Sequence, residues 1–182
     1  GQYYNAPTVS QNEFGSGDPI YSRDKNKENK KYIVVVSVLT FILPLLCSVG
    51  EILINKDTAF SFDLIGKWFI FSAVGLRLFI AGIKQTTDPA FTAKEIFHLD
   101  NPESFPIVRE LGFANLCFGL VGIISLWLPQ WRIVSAFASG LYYGIAGVQH
   151  LLKKPAGVNE KFALVTDIII FIFLLAWFVK MI

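Results

Sequence analysis

Beyond residue 31 the chain is written in long apolar runs separated by short polar stretches. Five of them, residues 33–54, 64–83, 111–128, 133–152 and 162–182, each approach the ~20 residues with which a helix crosses ~30 Å of hydrocarbon. The runs are continuous rather than alternating, so they predict helices and not barrel strands. A backbone in lipid must satisfy its own hydrogen bonds, and a helix does so within one segment. Residues 1–31 are polar, with almost no aliphatic side chains, and predict a flexible cytoplasmic tail. The expected architecture is therefore all-α. A tail (1–31) precedes an integral membrane bundle of five transmembrane helices (32–182).

One connection, residues 84–110, is too long for a simple turn. Asp88-Pro89 makes a suitable cap and first-turn pair, and predicts a short interfacial helix between the second and third spans. Phe91, Ile96 and Phe97 are available there to face lipid or protein. The segment reads either as a structural elbow or as a lid over a cytoplasm-facing cavity. Pro102 and Pro106 are expected to break the chain before the third span.

Composition supports a membrane protein. Of 182 residues, 53% are hydrophobic and only 16% charged, and the mean hydropathy is +0.51. A soluble domain is nearer a quarter charged. The net charge of +2 gives no reason to expect nucleic acid. With only two cysteines, a disulfide scaffold and a four-thiolate metal site are both excluded. With the N-terminus inside, eleven basic residues fall on the inner side and four on the outer, so the C-terminus is expected outside. Trp68, Trp127, Trp131 and Trp177 would share the outer boundary, where indoles favour the interface.

Small residues mark the packing faces. Gly112, Asn115, Gly119 and Gly122 form one narrow stripe, with Ser125 at its edge. Ala136, Gly140, Gly144 and Gly147 form a second. Ser37, Thr40, Pro44, Cys47 and Glu51 form a third. Such seams predict tight packing and argue against a wide aqueous pore.

Polar groups within the spans are the functional signal. A charge near the bilayer centre costs at least ~2.5 kcal/mol, so it should face protein or water and find a partner. Arg77 lies roughly 10 Å above the inner boundary and Asp167 roughly 9 Å, at about 1.5 Å per residue. Gln85, Glu110, Asn115, Gln149 and His150 lie on the same side. These seven residues are expected to form an inner-leaflet ligand-binding or polar cluster in which Arg77 pairs with Asp167 or Glu110. The alternative is a purely structural cross-link between helices. His150, beside a carboxylate, is a candidate acid or base. His98 reads as solvated, and Glu51 as a snorkelling or capping residue.

No phosphate loop, zinc pattern or nucleophile elbow is present. Cys47 and Cys117 belong to no CxxC pair and are expected to be buried packing residues.

The stretches Gly75-Leu-Arg-Leu-Phe-Ile-Ala-Gly82-Ile-Lys-Gln85, Pro89-Ala-Phe-Thr-Ala93, Ile96-Phe97, Arg109-Glu-Leu-Gly-Phe-Ala-Asn115 and Gly147-Val-Gln-His150 resemble an uncharacterised family of small bacterial inner-membrane proteins. The likeness spans residues 33–178, and more loosely the chain is similar to DoxX-like membrane proteins. It implies a compact helical bundle in a bacterial cytoplasmic membrane, and no established reaction. DoxX-like relatives act in some cases beside quinone-linked oxidoreductases, which would imply an accessory role here.

The balance of features favours a non-enzyme: an accessory subunit or a small-ligand or lipid-binding protein. Its expected partners are the lipid bilayer and either a membrane-protein partner or further copies of itself. No cofactor is expected, though a bound lipid or quinone would suit the cluster. The alternative is an integral-membrane enzyme or a proton-coupled small transporter using His150 and Asp167.

Overall fold

Helix α1 (Pro19–Ser37) continues through a wide π-helical turn (Val38–Ile42) into α2 (Leu43–Ile54), and together they make the first of five long rods among the described residues. The structure is a computed structural model that describes the backbone of residues 19–155 and 157–182, with side chains from residue 26 onward. Pro44 falls in the first turn of α2. A proline ring inside a continuous α-helix would clash with the preceding turn. Here the turn before it is wound wide, which relieves that clash. The second rod is built the same way, from α3 (Phe62–Phe69), a π-helical turn (Ile70–Leu76) and α4 (Arg77–Thr87). It starts where Ser61 Oγ accepts the Leu64 N–H at 3.1 Å. The Ser72 hydroxyl donates to the Leu39 carbonyl at 2.6 Å, joining the two wide turns.

A short helix, α5 (Pro89–Phe91), runs into a π-helical turn (Thr92–Ile96), and a 3-10 turn (Pro102–Ser104) leads into α6 (Phe105–Ile124). The bundle is completed by α7 (Trp131–Lys153) and α8 (Val158–Met181). Four rods are long and apolar enough to cross a membrane: Asn26–Ile54, Phe62–Thr87, Pro102–Ile124 and Val158–Met181. The protein is a helical membrane protein. Helix α7 is long enough, at 23 residues, but its serines, glycines, tyrosines, Gln149 and His150 dilute its hydropathy.

Several local expectations change. The polar segment before Lys31 is helical from Pro19 and enters the first rod without a break, and residues 1–18 lie outside the described residues. Asp88 makes no side-chain cap; its carboxylate instead accepts Lys84 Nζ at 2.6 Å. Pro102 and Pro106 open helical turns rather than break the chain, because a first-turn position needs no N–H donor.

The glycine stripe of α6 is buried as the sequence predicts, with Gly112, Asn115, Gly119 and Gly122 all inside. It packs along α4 and the wide turn before it, glycine against glycine. A Cβ on Gly122 would come within 2.7 Å of the Gly75 Cα, and one on Gly82 within 2.7 Å of the Gly112 carbonyl. Helix α7 lays its own stripe along α8, with Gly140 against Leu174, Gly144 against Phe171 and Gly147 against Ile168. On the first rod the buried positions are Val36, Leu39, Thr40, Pro44 and Ser48, while Ser37, Cys47 and Glu51 are half-buried. The middle of the expected stripe, Thr40 and Pro44, holds, and its ends shift by one position, to Val36 and Ser48, around the wide turn.

Two kinds of residue lie differently from expectation. Trp177 is 2% exposed and packs over Gly66, so it is part of the core rather than an interfacial anchor. Trp127, by contrast, is 69% exposed. Cys117 is exposed on the outer face of α6, and Cys47 is half-buried. The core joins Phe69, Ile70, Ala73, Val74, Ile170, Leu174 and Trp177 at the tryptophan end of the bundle.

Candidate functional site

Helix α6 lies along α4 and α7 lies along α8, and contacts between α6 and α7 themselves are sparse. The two helices therefore part below their tight connection, and a cavity of about 730 Å³ lies at the tail end of the bundle. Its walls are mostly apolar, from Val36 and Leu39 on the first rod, Leu78 on α4, Val108 and Leu111 on α6, and Ala146 on α7. Phe91, Ile96 and Phe97 of the short-helix segment also form part of the wall.

Six of the seven site residues expected from sequence line this one cavity: Arg77, Gln85, Asn115, Gln149, His150 and Asp167. Glu110 does not. It is exposed on α6 and is absent from the lining. The register set by the buried glycine seam turns Glu110 outward.

Arg77 is the first residue after the wide turn of the second rod. Its Nη2 donates to Asp167 Oδ1 at 2.8 Å and to Thr166 Oγ1 at 3.1 Å, both on α8. The guanidinium carbon stands 5.2 Å from the centre of the Tyr143 ring. Tyr143 is held in turn by donating its hydroxyl to the Ala73 carbonyl at 3.2 Å. The pair is buried, at 9% side-chain exposure on each partner. Asn115 Nδ2 donates to Gln85 Oε1 at 2.7 Å across the α4–α6 seam. Three buried polar atoms of the lining have no hydrogen-bond partner among the described residues: Arg77 Nη1 and Asn115 Oδ1 at the closed end, and His150 Nδ1. Gln149 is exposed at the cavity rim.

Sequence reasoning missed a second polar group beside this one. Glu160, in the first turn of α8, is 4% exposed. Its carboxylate lies 3.1 Å from His98 Nε2 and 3.7 Å from His150 Nδ1. His98 is thus partnered rather than merely solvated, and it takes a left-handed backbone, φ 55, that ends the segment after Ile96. Nearby, Asn159 Nδ2 donates to Asn29 Oδ1 at 2.8 Å, tying α8 to α1. Thr166 and Tyr143 were also missed. Their signal was available, since Thr166 precedes Asp167 and Tyr143 stands seven residues before His150 on one helix face.

At the tryptophan end, Glu51 neither snorkels nor caps. Its carboxylate accepts Trp68 Nε1 at 2.7 Å and Lys67 Nζ at 2.5 Å, bridging the first two rods.

A family model described as a family of unknown function (DUF6790) matches residues 34–181. The chain belongs to this family. The match covers all five rods except residues 19–33 of α1, together with the whole cavity deeper than Tyr32. It brings no DoxX-like relation and no reaction with it. No curated protein and no solved structure matches the chain.

Proposed function

We propose that this DUF6790 chain is a five-span protein of the bacterial cytoplasmic membrane, N-terminus inside, whose inner-half cavity binds a small amphiphilic ligand. It would serve as a ligand-binding or accessory protein rather than as an enzyme. In this topology α7 is the remaining span, its polar content sheltered by α8 and the cavity, and the segment 89–97 lies at the inner interface.

One observation carries the reading. The cavity ends at Leu39, Arg77, Asn115, Tyr143 and Asp167, and no tryptophan-level residue lines it. Beyond that end, Ile70, Ala73, Val74, Ile170 and Leu174 are fully buried and fill the bundle. A blind, mainly apolar pocket with a few placed polar groups suits binding. A transporter would need a route past that plug, and Asp167 is already held by Arg77. The test is mass spectrometry of material purified in mild detergent. A stoichiometric small amphiphile, lost in variants that fill the pocket such as Ala146→Trp, is expected. An empty pocket, together with proton-dependent flux through reconstituted protein, would replace this reading with transport.

A further inference from the structure

We infer, resting on the binding reading above, that the cavity selects an uncharged amphiphile whose oxygenated head carries both an acceptor and a hydroxyl donor. The head end is built from two side chains. Arg77 is 8% exposed and Asn115 2% exposed, and both line the cavity. Each keeps one buried polar atom without a protein partner, a donor on Arg77 (Nη1) and an acceptor on Asn115 (Oδ1). A buried polar atom left unpaired is costly, so the complementary occupant supplies an acceptor to the first and a donor to the second.

Charge decides between head groups. The Arg77 guanidinium is already matched by Asp167 at 2.8 Å. Lys84 is matched by Asp88 and is much more exposed, and Lys31 and Glu28 are exposed at the rim. A carboxylate or phosphate carried to Arg77 would leave the deep site with one uncompensated negative charge in apolar surroundings, and an ammonium would leave a positive one. A neutral carbonyl or hydroxyl adds no charge. The tail has an apolar way out, because Ile107 on α6 and Ile145 on α7 line the cavity and are themselves 72% and 60% exposed. Two kinds of molecule share this chemistry, acylglycerols and lipid-soluble quinols.

The experiment is native mass spectrometry of the full chain in detergent, titrated separately with monooleoylglycerol, a decyl-substituted benzoquinol, oleate, oleylamine and hexadecane. Retention of the glyceride or the quinol is expected, with oleate and oleylamine weaker by at least about tenfold. Which neutral head is retained tells the two sources apart. Asn115→Leu should weaken the retained neutral ligand by about fivefold and leave hexadecane unchanged. Oleate or oleylamine binding as tightly as the neutral heads overturns the proposal, as does hexadecane binding equally well, although hexadecane binding leaves the binding reading standing. If none of the five binds, the binding reading itself fails. The wild-type series decides the outcome even if Asn115→Leu does not fold.

Discussion

Arg77 and Asp167 lie ninety positions apart in sequence and 2.8 Å apart in space, and their ion pair ties the second rod to α8 at the closed end of the cavity. The pair is almost dry, and Thr166 and the Tyr143 ring surround the guanidinium. Removing one partner strands the other charge, which costs about 3–5 kcal/mol, whereas replacing both by apolar residues of similar volume is often neutral.

Arg77→Met and Asp167→Leu alone should therefore each lower thermal stability in detergent markedly. The double variant should recover most of the loss. Single variants as stable as wild type would show that the pair is not buried as described.

The α4–α6 seam gives a second prediction. A methyl on Gly122 meets the Gly75 backbone at 2.7 Å, and backbone cannot step aside as a flexible side chain can. Gly122→Ala should destabilise the fold by about 1–3 kcal/mol. Gly50 has nothing within 4 Å of its would-be Cβ, and Gly50→Ala should be neutral or slightly stabilising. Parallel thermal melts check both, and equal melting temperatures for the two variants would contradict the seam.

The segment after α5 is held to the bundle through His98 and Glu160. Glu160→Ala should raise amide hydrogen exchange across residues 92–99. Glu103→Ala, on the exposed turn beyond, should leave that exchange as it was. Unchanged protection in the Glu160 variant would mean that packing of Phe91 and Ile96 alone holds the segment.

For the proposed topology, single cysteines placed in a background lacking Cys47 and Cys117 report sidedness. Asn55→Cys should react with a membrane-impermeant maleimide added to intact cells, and Lys154→Cys only after the membrane is opened. The reverse pattern would invert the orientation.

How much of this was legible in the sequence can be read from individual residues. The apolar runs and the Gly112–Gly122 stripe were legible because span length and small-residue spacing follow from bilayer thickness and helix geometry alone. That Arg77 and Asp167 share a level of the bundle was legible for the same reason, since rise per residue fixes position along a span. Glu110 shows the limit. It had the right depth, but facing is set by the angle about the helix axis, and the α4–α6 seam turned it outward. Trp177 shows a second limit, because its distance from the helix end said nothing of the glycine opposite, Gly66, that lets an indole pack into the core.

From its order of residues alone, the chain determined its helices, its long apolar runs and the common level of Arg77 and Asp167. Those properties depend on near neighbours and on the thickness of hydrocarbon. Only the tertiary structure decided which acid faces Arg77, and it brought Glu160 between two histidines from distant segments. It also left Arg77 Nη1 and Asn115 Oδ1 without protein partners. These outcomes depend on how rods are rotated and seated against one another, and the wide turns at Val38–Ile42 and Ile70–Leu76 change that rotation in a way that helical periodicity does not encode.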